Sequence, residues 1–368
     1  MQIKKIIIDT RMIDSSGIGR YLQNILPDII EQFSNVSLLG EEQLLKEKLQ
    51  NDNLHVIPFN EPIYSISEQL KYPYVIPKCD IFFSPHYNIP LLPIKAKYRI
   101  VTIHDVFHLA FYQSLNIFQR IYSKAVINQA LKQSDAVITV SEFSKEEILK
   151  YTNKKYIDKI YVIYNGVRSW RKLSETKVDY CDNKPYFLFV GNVKPHKNLR
   201  RTIEAYRLLL LNIGDVKQKP YFIIVGKRDG FITGDNITAL IENDPLLQQY
   251  VKFTGWITDS ELQELYSNAL ALIFPSYYEG FGFPPLEAMS YGTPSIVANA
   301  ASIPEICGDA ALYFNPFDIY DIYNKMKCIF NSLHIRKELI EKGRENIKRF
   351  SCNLSIESHI KLFECFLK

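Results

Sequence analysis

The chain has no paired cysteines. Its six, Cys79, Cys181, Cys307, Cys328, Cys352 and Cys365, are scattered without a CxxC spacing. That excludes a zinc ribbon and a disulfide framework, and it fits a reducing compartment. No run approaches the ~20 apolar residues that a bilayer-spanning helix needs. The opening MQIKKIIIDT reaches Asp9 before a signal-peptide core could form. The expectation is a cytoplasmic protein, soluble or peripheral on the inner face of the plasma membrane. Acidic D-x-D triplets are also missing, so no metal and no other cofactor is expected. A formal net charge of +4 is too small to argue for a nucleic-acid partner.

What is present is alternation. The segments IKKIIID (Ile3–Asp9), VSLLG, LHVIPF, CDIFFSPH, YRIVTIHD, DAVITVS and KIYVIYNGV read as strands. Longer stretches such as YLQNILPDIIEQF and SLNIFQRIYSKAVINQALKQ read as helices. That order points to a parallel sheet covered by helices. Residues 169–184 are polar and unpatterned, a linker. The strand, glycine loop and helix unit then restarts in YFLFVGNVKPHKNLRRTIEAYRLL. With 368 residues and 47% hydrophobic content, two ordinary cores can form. The predicted class is α/β with two Rossmann-like domains, 1–168 and 185–349.

Several strand ends carry candidate chemistry, because ligands of parallel sheets bind at the carboxyl ends of strands. Gly17 and Gly19 lie where the first strand turns toward a helix, although Leu22 takes the place of a third dinucleotide-type glycine. They serve either a phosphate-bearing ligand or packing alone. His104 and Asp105 close RIVTI. Ser141 closes AVITV and suits a cap for the helix near Phe143. Gly191 opens the second half's first loop, where His196-Lys197 precedes Asn198, a residue suited to cap the next helix. Lys197 there can meet a diphosphate as a point charge. Asp259 is the expected cap of the helix after Trp256 and Ile257. The aromatic segment Phe107–Tyr122, with Lys145, Lys150, Lys154, Lys155 and Lys159 nearby, fits either an anionic membrane surface or a core helix beside a solvated face.

The most informative stretch is PSYYEGFGFPPLEAMSYGTP, Pro275–Pro294. ALALIF before it reads as a buried strand. Pro284 and Pro285 suit the first turn of a helix, and Gly292 suits its end. Gly280 and Gly282 let backbone N–H groups approach a ligand. Glu279 sits on the loop, with Glu287 near the first helical turn.

This E-x7-E pattern resembles the signature of retaining glycosyltransferases of family four, most of all bacterial O-antigen and capsule mannosyltransferases. The likeness extends over nearly the whole chain, including HDVFHL and TPSIVANAASIPEICGDAALYF. It implies the GT-B architecture, with the two domains facing a central cleft and the helix 350–368 returning to the first domain. It implies transfer of a hexose, GDP-mannose being the favoured donor, to a lipid-linked glycan acceptor on a polyprenyl diphosphate, with retention of configuration. By the same resemblance His104 adjoins the transferred sugar and His108 covers the acceptor. The GIGRY loop contacts donor diphosphate or acceptor, and the backbone at Trp256 and Ile257 faces the base. Glu287 holds the ribose, while Glu279 holds the donor sugar with the N–H groups of Phe281, Gly282 and Phe283. Relatives carry Arg-Lys where this chain has His196-Lys197, which shifts leaving-group stabilisation toward Lys197. The rival readings are a UDP-hexose-dependent transferase, an epimerase or phosphorylase of similar architecture, and a non-catalytic nucleotide-sugar-binding subunit.

Overall fold

The computed structural model describes residues 4–111, 117–167, 180–181, 184–215, 219–226 and 237–368. The chain folds into two compact units, 1–168 with 350–368, and 169–349. Most of the predicted linker, part of the Phe107–Tyr122 segment and residues 227–236 lie outside the described residues.

The first unit holds seven parallel strands: β1 (Ile6–Asp9), β2 (Val36–Gly40), β3 (Val56–Pro58), β4 (Cys79–Ser84), β5 (Ala96–Ile103), β6 (Ala136–Thr139) and β7 (Ile160–Val162). Their order is β3-β2-β1-β4-β5-β6-β7. The order reverses direction between β1 and β4, where Ile6 pairs with Ile81 and Ile8 with Phe83. Helices on both faces bury the central strands, so these read as unbroken apolar runs rather than alternations. Ile6, Ile7 and Ile8 are wholly buried. Helix Cys352–Leu367 packs on helix Ser16–Gln32 and on β4, and Phe363 meets Phe83 edge-on at 5.3 Å.

The second unit repeats the plan with β8 (Tyr186–Val190), β9 (Tyr221–Val225), β10 (Val251–Gly255), β11 (Ala271–Phe274), β12 (Ser295–Ala298) and β13 (Ala311–Phe314). The order is β10-β9-β8-β11-β12-β13, so its reversal falls between β8 and β11. The predicted strands and the two Rossmann-like sheets are therefore present.

Local details differ from the sequence reading. Helix Ser16–Gln32 begins before Gly17, so both glycines lie in its first turn rather than in a free loop. Asn198 stands at a helix start, but in a left-handed conformation (φ 55°) and without a side-chain cap bond. Its amide instead donates to Pro316 O at 2.6 Å. The helix Asp259–Asn268 is capped by Thr258, not Asp259. Thr258 and Glu261 form a reciprocal capping box that satisfies two backbone N–H groups at once. Ser141 caps Glu142–Tyr151 as expected, accepting from Ser144 N–H.

Candidate functional site

In the second unit, the carboxyl ends of β8 and β11 carry two loops that meet. The loop after β8 passes Gly191 (φ 149°), makes a short 3-10 turn at Pro195–Lys197 and enters helix Leu199–Asn212. The loop after β11 carries Glu279. Tyr277 N–H donates to His196 O at 3.0 Å, and this tie joins the two loops. Lys197 Nζ donates to Glu279 Oε1, 82 positions away, with side chains 18% and 17% exposed. The ammonium also lies 5.6 Å from the Phe274 ring centroid. Partly shielded from water, both ends of this pair remain reachable. His196 is partly buried. Burial first, and then Lys197, push its imidazole down to about 4, so it is neutral near pH 7.

Glu279 is fixed from behind. Ser302 Oγ donates to Glu279 O at 2.9 Å and lies 2.7 Å from Phe281 O. One hydroxyl thus pins both ends of the Glu279–Phe281 loop. Gly282 follows with φ 122°, and a Cβ there would stand 2.8 Å from Ile303 Cδ1. Glycine is required on both counts. Helix Phe283–Ser290 then begins with prolines in its first positions. Pro284 and Pro285 contribute no N–H, so the first turn's donors are those of Phe283 and Leu286. Phe281 is buried against Phe283, ring centroids 5.4 Å apart.

Glu287 sits one turn deeper than expected, because the helix already starts at Phe283 and its first turn has no acidic residue. It is 8% exposed and accepts from Tyr266 OH at 2.8 Å. Tyr266 in turn stacks on Tyr291 at 5.6 Å. Trp256, just after β10, is 79% exposed. Exposure on that scale leaves an indole face open to a ligand. Ile257 beside it is partly buried.

In the first unit, Gly17 and Gly19 part company. A Cβ on Gly19 would lie 2.4 Å from Ile13 O, whereas Gly17 has nothing within 4 Å. Gly19 is thus a packing glycine, and Gly17 borders open space. His104 Nε2 lies 2.9 Å from Pro85 O. A carbonyl only accepts, so Nε2 carries the proton and the neutral ring keeps its lone pair on Nδ1. Burial lowers its pKa, opposed by the Pro85 bond. Tyr21 meets the ring edge-on at 5.0 Å. The Tyr21 hydroxyl bonds Thr102 at 3.0 Å and His359 Nε2 at 2.7 Å. His104 is thereby supported from the C-terminal helix. His108, on the short helix Phe107–Ala110, sits 6.2 Å from Tyr87, ring to ring. Of the basic group, Lys150 pairs with Glu147 and Lys159 donates to Ser134 O. No helix among the described residues is long and apolar enough to cross a membrane.

Sequence reasoning missed Ser302, Tyr266, Tyr21 and His359. They act through neighbours, and no spacing rule marks a side chain whose partner is about 20 to 340 positions away.

Comparison with known proteins matches both halves. Residues 16–171 match the model of Glycosyltransferase Family 4 and residues 174–346 that of Glycosyl transferases group 1. O-antigen chain mannosyltransferase B of Escherichia coli is 28% identical over 282 residues, 74% of this chain and 70% of that one. O-antigen chain mannosyltransferase RfbU of Salmonella typhimurium is 33% identical over 236 residues, 63% of this chain and 60% of its own length. A crystal structure of a glycosyltransferase from Rickettsia africae ESF-5 shares the fold over the full length of both chains, with TM-score 0.72 at 19% identity. With each sheet unit matched by its own model and the GT-B fold shared end to end, the chain belongs to the family-four, group 1 glycosyltransferases.

Proposed function

We propose that the protein transfers mannose from GDP-mannose, with retention of configuration, to a hydroxyl of a lipid-linked glycan in O-antigen or capsule synthesis. The observation that carries this reading is the Lys197–Glu279 pair at the β8/β11 reversal. Departure of a nucleoside diphosphate places charge on the leaving phosphate. Lys197 answers that charge, with N–H groups of the Phe281–Phe283 loop, as a preorganised electrostatic site that needs no metal. Glu279, released from its ion pair when phosphate takes Lys197, accepts from hydroxyls of the donor sugar. Glu287 accepts from the ribose, and Trp256 offers its open face to the base. To His104 we assign the sugar contact that the family resemblance implies. Relatives named as O-antigen mannosyltransferases support mannose over other hexoses.

The test is transfer of radiolabelled mannose from GDP-mannose to polyprenyl-diphosphate-linked glycan, with and without EDTA. Transfer undiminished by EDTA supports both donor and metal independence. Transfer from UDP-hexoses alone would move the donor, and no transfer from any nucleotide sugar would overturn the reading.

A further inference from the structure

Helix Ile66–Val75 turns apolar residues outward and its acid inward. Ile66, Leu70 and Tyr74, spaced four apart, form one stripe that is 81%, 58% and 89% exposed. Glu68 is wholly buried. It belongs to an inner node around Arg11, whose five N–H groups go to both oxygens of Asp9, to Glu61 O at 3.1 Å, to Glu68 Oε2 at 2.8 Å and to the Tyr72 hydroxyl. With Glu68 and Tyr72 anchored inside, the opposite side of the helix can only face out.

The stripe is part of a wider layer. Phe82 of β4 pairs with Arg99 of β5 in parallel register, so Phe82, Val101 and Ile103 share one face of the sheet. Tyr72 and Ile76 share a core cluster with Phe82, while Val126 and Ile127 of helix Ile117–Gln133 share one with Val101 and Ile103. Both helices therefore cover the same sheet face. Residues 86–92 bridge them: Gln69 Oε1 accepts from Leu91 N–H at 2.8 Å, and Gln133 Nε2 donates to Leu91 O at 3.1 Å. The Tyr122 ring meets that of Tyr64 edge-to-face at 6.2 Å. On the second helix Ile117, Ile121, Lys124 and Lys132 fall on one face, all exposed. Eight of the sixteen exposed large apolar side chains among the described residues lie on this layer. Such side chains normally occur singly, and a contiguous group marks a contact surface.

Its charge says what that contact is. Segments 66–78, 86–97 and 117–133 hold seven Lys or Arg and one acid, the buried Glu68, although the whole chain is nearly balanced at 44 to 40. Lys71 is answered by Glu61, which leaves Lys124 and Lys132 on the outer face. A second copy docked face to face would set cation against cation. An anionic bilayer suits all three kinds of side chain. Aliphatic groups enter the acyl boundary, tyrosines sit at headgroup level, and ammonium groups meet phosphates.

We propose that the outer faces of helices Ile66–Val75 and Ile117–Gln133 form a docking surface for an anionic lipid bilayer. The contact takes its purpose from the transferase reading, in which the acceptor is lipid-linked, but its binding stands on this surface alone.

Flotation of the full chain with vesicles tests it. The chain floats with vesicles of equal parts phosphatidylglycerol and phosphatidylcholine, far less with phosphatidylcholine alone, and less as salt is raised. Two double variants, Leu70→Glu with Tyr74→Glu and Lys124→Glu with Lys132→Glu, each lower binding to the anionic vesicles by about tenfold or more. Lys154→Glu with Lys155→Glu, the same charge change elsewhere on the first unit, leaves it nearly unchanged. All variants keep the wild-type unfolding transition and the thermal shift given by GDP or UDP. Absence of binding to anionic vesicles, equal binding to phosphatidylcholine alone, or unchanged binding in the two folded double variants overturns the proposal. So does an equal loss in Lys154→Glu with Lys155→Glu, which reduces the effect to net charge. A dimer in sedimentation that Leu70→Glu with Tyr74→Glu dissociates gives the face to a second copy instead. Vesicle binding by a chain that no nucleotide shifts would sink the transferase reading and leave this surface standing.

Discussion

Two sheet reversals built on one plan hold charge in opposite ways. At β1/β4, Asp9, Arg11 and Glu68 form a closed network in which Arg11 is 5% exposed and every donor is committed. At β8/β11, Lys197 and Glu279 form a two-member pair that water still reaches. A committed network is a fixed support, since removing Arg11 leaves two buried carboxylates without their partner. A half-open pair is exchangeable, since an incoming anion can take Lys197 while a hydroxyl takes Glu279. Shared topology places both charge clusters at strand carboxyl ends, and the degree of burial separates a fixed support from an exchangeable pair.

The sharpest break of this contrast exchanges the cations for apolar groups. Arg11→Met should destabilise the chain by about 3–5 kcal/mol in urea unfolding, because Asp9 and Glu68 are left buried without a partner. A loss under about 1 kcal/mol, the size of a surface pair, would show that the node supports nothing. Lys197→Met should leave stability within about 1 kcal/mol. Its cost should fall on turnover, on the order of 10²–10³ in kcat, the usual size for one lost electrostatic donor. Equal damage to folding and turnover would erase the difference between the two reversals.

Glu287→Gln probes a third degree of burial. The variant keeps the acceptor for Tyr266 but removes a charge, so nucleotide affinity should weaken by about 1.5–3 kcal/mol, the size of a charge-assisted hydrogen bond. Calorimetric titration with GDP reads this directly, and unchanged affinity removes Glu287 from the ribose.

The smallest effect concerns His359, which is wholly buried and which burial, above all, lowers to about 4. Below its ordinary value near 6.5 the unfolded chain takes up a proton that the folded chain refuses. Stability is thus intact above about pH 6.5 and falls as pH drops toward 4, by at most about 1.4 kcal/mol per pH unit. Urea unfolding at about pH 7 and about pH 5, either side of the unperturbed histidine value, should show a shallower loss in His359→Gln than in wild type. The same slope in both would contradict it.

The fold was legible because its central strands, such as ALIF and AVIT, are short apolar runs buried on both faces, bounded by turn residues. The motif was legible because Gly282, Pro284 and Glu279 carry their constraints within one short stretch. Helix Ile66–Val75 was not, since it exposes Ile66, Leu70 and Tyr74 while burying Glu68, the reverse of an amphipathic stripe. Arg11 and Glu68 lie 57 positions apart, and nothing local marks either as half of a buried pair. Thr258 and Asp259 are both good caps, so the choice between them came from where the helix begins and from Glu261.

Whether the half-open pair receives a nucleoside diphosphate can be read from thermal unfolding with GDP or UDP in wild type and Lys197→Met. At about 100 times its dissociation constant a ligand stabilises by about 2.7 kcal/mol. Such a shift is expected for wild type with GDP, unchanged by EDTA and strongly reduced in Lys197→Met at the same concentration. No shift with either nucleotide, or an equal shift without Lys197, would contradict that role for the pair.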